Sequence, residues 1–135
     1  MNKNYDLELN ILSCLLQKPE LMENHKLKDE YFEGYKNIWV FMRVFYEKYK
    51  TFDLVLMVSL AKNKLRLTYF LENVVNAEPS PSLFNYYQDR LIETYNENIK
   101  DREKIEEIFE LANKLYTRKI NLENFKNSID KVLKK

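Results

Sequence analysis

The stretch that decides the fold runs from Pro79 to Lys135 and reads PSPSLFNYYQDRLIETYNENIKDREKIEEIFELANKLYTRKINLENFKNSIDKVLKK. Apolar residues recur in it at helical spacing as far as about Tyr116, and a shorter helical pattern follows over residues 122–133. Residues 118–121, Arg-Lys-Ile-Asn, separate the two patterns and predict a turn. The stretch therefore predicts a helical hairpin. Its apolar surface exceeds what one flanking domain easily covers, which suggests assembly with another chain.

The rest of the chain predicts a small all-α bundle of about six short helices over residues 1–78, followed by the hairpin over residues 79–135. One glycine and three prolines in 135 residues favour helix, because tight β-hairpins depend on glycine. Together the two parts make one domain with a modest core.

Particular residues predict where helices begin. Asp6, Asp53, Thr68, Ser80 and Asn121 are side chains that commonly cap a helix N-terminus, and each precedes an apolar helical pattern. The helix after Asp53 is expected to reach about Asn63. The strongest pattern before the hairpin covers residues 35–49.

A nearly all-polar run covers residues 96–104 within the long helical pattern of the hairpin, with Ile99 as its exception. Two interpretations stay open from the sequence. The helix either crosses solvent at this run or kinks and breaks there.

The composition carries little sign of catalysis. The net charge is +1, from 22 basic and 21 acidic residues, which does not favour phosphate binding. Cys14 and His25 are the only residues of their kinds, so a His-pair metal site and a disulfide are excluded. With one glycine no phosphate-cradling loop is expected. We predict no catalytic, cofactor or metal site, no membrane span and a cytoplasmic binding module.

Five short motifs resemble, in order and at nearly the right spacing, the N-terminal domain of bacterial replicative DNA helicases of the DnaB type. They run from Glu8-Leu9-Asn10-Ile11-Leu12-Ser13-Cys14-Leu15-Leu16 through Asp29-Glu30-Tyr31-Phe32, Tyr35-Lys36-Asn37-Ile38-Trp39 and Phe52-Asp53-Leu54-Val55 to the hairpin entry over residues 78–87. The resemblance covers about Leu7 to Leu133.

The resemblance implies an all-helical collar domain whose hairpins pair subunits in a hexameric ring and which docks primase or a helicase loader. Three features depart from the family. Leu65-Arg66-Leu67 replaces a usual Gly-Gly, residues 87–112 are about two turns longer, and the chain stops where a linker and motor domain would follow. A stand-alone phage or mobile-element protein that binds and regulates a host helicase is therefore the alternative, and a reading frame that continues past Lys135 would decide between them.

The predicted protein-interface residues lie mostly in the hairpin. Subunit pairing is expected to use apolar and aromatic side chains, namely Tyr95, Ile99, Ile108, Phe109, Leu115, Ile129 and Leu133. Primase contacts are expected around Phe70, Phe109 and Leu115. Ordinary packing within the hairpin is the competing interpretation for each. Direct nucleic-acid binding through lysines and tyrosines is a third hypothesis, which the balanced charge and the core spacing of the tyrosines disfavour.

Overall fold

The structure is a computed structural model that describes residues 3–77 and 79–134. The described residues contain helices and connecting loops but no strand, which confirms the all-α prediction. The six α-helices are α1 (Lys3–Gln17), α2 (Lys36–Tyr49), α3 (Leu54–Leu60), α4 (Lys64–Ala77), α5 (Phe84–Tyr116) and α6 (Leu122–Leu133). Short 3-10 turns lie at Pro19–Glu23, Asp29–Tyr31 and Pro81–Leu83. The six short helical elements expected before residue 78 are present.

Two of the five predicted N-caps are confirmed by side-chain hydrogen bonds, and Ser80 precedes the 3-10 turn Pro81–Leu83 without forming one. The Asp53 carboxylate accepts the backbone N–H of Leu56 at 3.1 Å, and the Asn121 side chain accepts that of Asn124 at 2.7 Å. Asp6 is not a cap, because α1 already includes Lys3 and Asp6 lies in its first turn.

Thr68 was the wrong cap for α4, which begins one turn earlier. The Asn63 side chain accepts the backbone N–H of Arg66 at 3.0 Å, as an N-cap does. An N-cap residue has an extended backbone rather than a helical one, so the preceding helix must end before it. Helix α3 ends earlier still, at Leu60 and not at Asn63 as predicted, because Ala61 has an extended backbone with φ −68° and ψ 137°.

The first compact unit, Met1–Thr94, contains the main core. Trp39 is fully buried at its centre and stacks on Phe32 with ring centroids 5.0 Å apart. Phe84 and Leu91 of α5 belong to the same buried cluster. The first turns of α5 therefore complete the core of this unit, which extends to Thr94. Glu78 itself lies outside the described residues.

The second compact unit, Tyr95–Lys135, consists of the rest of α5, a turn and α6. Helix α5 is a single helix through the polar run 96–104, so the interpretation of a break there is wrong.

The turn between α5 and α6 is built from backbone hydrogen bonds at the end of α5. The N–H of Lys119 binds the carbonyl of Lys114 at 2.8 Å and that of Arg118 binds the carbonyl of Leu115 at 3.1 Å. Arg118 has a positive φ of 61°. This is the Schellman arrangement that closes many helices, usually with glycine at the left-handed position.

Candidate interaction surfaces

The single cysteine, Cys14, and the single histidine, His25, both pack within the first unit. The Cys14 side chain is fully buried, and burial raises the pKa of its thiol to about 11. The Nδ1 atom of His25 accepts the backbone N–H of Leu27 at 3.0 Å, and its ring meets Trp39 edge-on at 5.3 Å. Burial, and then the charge of Arg43, lower the His25 pKa. Both positions fit structural roles.

Glu8 is a buried carboxylate that the sequence analysis did not single out. Its Oε1 accepts the backbone N–H groups of Glu33 at 3.0 Å and Tyr35 at 3.1 Å, and its Oε2 faces that of Gly34 at 3.5 Å. Burial raises the pKa of the Glu8 carboxyl, against the lowering effect of these three donors. The carboxylate thus fixes the loop before α2 onto α1. The sequence signal for its burial is that Glu8 lies three positions before Ile11, on the apolar face of α1.

Asp29 joins the turn at residues 29–31 to α2. Its carboxylate accepts the indole N–H of Trp39 at 2.7 Å and two N–H groups of Arg43 at 3.1 Å each. The hydrogen bond from Arg43, then that from Trp39, lower the Asp29 pKa. The pair is partly exposed, so it contributes little beyond orienting Trp39.

Among the described residues, no three His, Cys, Asp or Glu side chains are arranged to hold a metal ion. Nor does any described helix have the length and apolar character that crossing a membrane requires.

The predicted interface residues fall into three classes of exposure. Phe109 is 70 % exposed and Leu133 is 60 % exposed. The half-buried residues of the set are Tyr95, Ile99, Ile108, Leu115 and Ile129. Phe70 is 1 % exposed and its ring packs 5.6 Å from that of Tyr35. Phe70 is therefore a core residue, which corrects its assignment to a primase-binding surface.

An exposed apolar stripe follows one face of α5 in the second unit. Ile105, Phe109, Ala112 and Tyr116 are all exposed and succeed each other at steps of four, three and four residues, which places them on one side of a helix. We call these four residues the α5 stripe. Of these four residues, only Phe109 is among the interface residues predicted from the sequence.

A groove lies in the first unit between α2 and the connection from α3 to α4, with a volume of about 680 Å³. Val40, Phe41, Val44 and Leu60 provide apolar surface. Lys36, Lys62 and Arg66 provide positive charge, and no described residue that lines it is acidic. We call it the basic groove. Local sequence patterns do not predict this groove, because its lining comes from two separate parts of the chain, residues 36–44 and residues 60–67.

Comparison of the chain with protein-family models, with curated proteins and with solved structures finds no significant match. The family resemblance therefore rests on the sequence motifs quoted above.

Proposed function

We propose that the chain is the N-terminal collar domain of a replicative DNA helicase. It would mediate association of subunits into a dimer or hexameric ring and dock primase or a helicase loader during DNA replication. The observation that carries this proposal is the exposure of the hairpin. In the described part of the second unit only Val132 is buried, whereas five large apolar side chains are exposed, namely Ile105, Phe109, Tyr116, Leu122 and Leu133.

Exposed apolar surface of this kind is typical of sites that bind another protein. Aromatic residues are enriched where binding energy concentrates, and Phe109 and Tyr116 lie together on one helix face. Both subunit pairing and partner docking are served by such a surface. The role requires no catalytic residue, cofactor, metal or strong nucleic-acid affinity in this chain, and it takes place in the cytoplasm.

The partner-docking part of the proposal now rests on fewer residues. Phe109 is exposed and Leu115 is half-buried on the same helix, so both remain available for contact with primase or a loader. Phe70 is removed from this surface because its ring is in the core.

The test combines the solution mass of the chain with a pull-down by the cognate primase. We expect a concentration-dependent mass above 16.5 kDa and capture of the chain by primase. Replacement of Phe109 by Ser should weaken at least one of these. Tyr86→Ser, which changes a 60 % exposed aromatic residue in the first unit, should not. A chain that is monomeric at all concentrations and is not captured by primase refutes the proposal.

The same experiment separates the alternative of a regulator with the same fold. The regulator is supported instead if the chain stays monomeric and does not bind primase but binds an intact replicative helicase ring through Phe109.

A further inference from the structure

The basic groove and the α5 stripe have complementary chemistry. The groove presents apolar side chains with positive charge around them. Residues 60–67, which supply one side of it, contain three basic residues and no acidic one. An occupant of this groove should be apolar at its centre and negatively charged at its edges.

The cations of the groove are available to an occupant. Lys62 is exposed and forms no ion pair within the described part of the chain. The Arg66 guanidinium donates a hydrogen bond to the carbonyl of Gly34 at 3.2 Å. This bond holds its charge at the groove without neutralising it. Val44 and Leu60 are about half exposed, so the apolar surface between the cations is accessible to solvent and to an occupant.

The α5 stripe has the opposite character. Residues 101–111 contain five acidic and two basic residues, a net charge of −3. Glu106 lies three positions before Phe109, so its carboxylate is on the same helix face as the exposed phenyl ring. Glu110 directly follows Phe109, points to another side of the helix and pairs with Lys114 at 3.8 Å. A helix with this face matches what the groove requires in apolarity and charge.

We propose that the basic groove of one copy binds the α5 stripe of a second copy, with Phe109 as the apolar anchor and Glu106 facing Lys62 and Arg66. The inference rests on the self-association proposed above and specifies the surfaces that carry it. It needs no part of the assignment to a helicase.

A contact between two different surfaces has a consequence for assembly. After two copies have bound, one of them keeps a free stripe and the other keeps a free groove. Such head-to-tail contacts repeat until they close into a ring or grow into an open filament. The expected mass is therefore larger than that of a dimer at high concentration.

The experiment uses two variants that each remove one of the two surfaces. Phe109→Ser removes the anchor of the stripe, and Val44→Glu places a carboxylate in the groove. Both positions are exposed, and circular dichroism checks that each variant is folded. Each variant alone should associate at least about tenfold more weakly than the wild type. An equimolar mixture should form a one-to-one dimer, because the intact groove of one variant receives the intact stripe of the other.

Val55→Glu is the matched control for the groove variant, since Val55 is highly exposed and does not line the groove. It should associate as the wild type does. A second pair of variants exchanges the charges of the two surfaces and leaves the apolar residues of the groove unchanged. Lys62→Glu and Glu106→Lys should each weaken association, and the double variant should recover most of it.

Three results would overturn the inference. If Phe109→Ser prevents association but both groove variants leave it intact, the hairpins pair symmetrically, and the proposed assembly role survives without the groove. If the wild type is monomeric, the inference and the self-association both fall. If the wild type is monomeric and sediments with phosphatidylserine vesicles but the Val44→Glu variant does not, the groove binds an anionic membrane surface.

Discussion

Replacement of Glu8 should separate the effect of its hydrogen bonds from that of its charge. Oε1 accepts both short hydrogen bonds, from the N–H groups of Glu33 and Tyr35, and Oε2 has only the long approach to Gly34. In the Glu8→Gln variant the amide oxygen takes the place of Oε1 and keeps both short bonds. In Glu8→Ala the two N–H groups lose their partner.

The magnitudes follow from these contacts. Loss of a partner for a buried donor costs about 1–3 kcal/mol, and the loop is only partly buried, so Glu8→Ala should lower the free energy of unfolding by about 2–4 kcal/mol. Glu8→Gln should lower it by less than about 1 kcal/mol. Urea unfolding followed by circular dichroism at pH 7 measures both values.

The raised pKa of Glu8 adds a dependence on pH. A carboxyl whose folded pKa lies above its unfolded value binds more protons in the folded state between the two values. Its contribution to stability is full below the unfolded pKa and is lost as the pH rises through the folded pKa. The Gln variant should lack this loss. If Gln costs as much as Ala at pH 7, the carboxylate charge and not the hydrogen bonds fixes the loop, and the reasoning is refuted.

Three further outcomes are expected. Burial lowers the pKa of His25, and its Nδ1 must stay unprotonated to accept the N–H of Leu27. The free energy of unfolding should therefore fall as the pH drops below about 6.5. If a His25→Asn variant shows the same dependence of this free energy on pH in urea titrations, the prediction is contradicted. Asp53→Ala should lower the free energy of unfolding by about 1 kcal/mol, because an N-cap is lost. Asn121→Ala should destabilise α6 by a similar amount for the same reason. Thermal melts measure both effects, and unchanged melting temperatures would show that neither cap contributes to stability. With a pKa of about 11, about one Cys14 thiol in a thousand is ionised at pH 8. Maleimide should therefore modify the folded chain far more slowly than the urea-unfolded chain. Equal rates would count against the burial of Cys14.

The sequence predicted those parts of the fold that local patterns control. The bounds of α6, the end of α5 near Tyr116 and the cap at Asn121 follow from helical periodicity and a turn with few apolar residues. In each case the deciding side chains lie within a few positions of the feature they determine.

Features that depend on distant residues were missed. The cap at Asn63 competed with Thr68, and both are good caps in isolation. Gln88 of α5 accepts the backbone N–H of Lys26 at 2.7 Å, a contact between residues far apart in the chain that local patterns do not predict. The exposure of Phe109 and the burial of Phe70 could not be separated by periodicity, since each lies on an apolar helix face.

The position of Trp39 gives the protein a built-in optical reporter. It is the only tryptophan in the chain, and it is fully buried in the first unit between Phe32 and His25. Its fluorescence therefore senses the first unit, whereas far-ultraviolet ellipticity sums over both. If the hairpin melts by itself, ellipticity falls while the emission maximum stays blue-shifted. The two signals coincide only if the units unfold together.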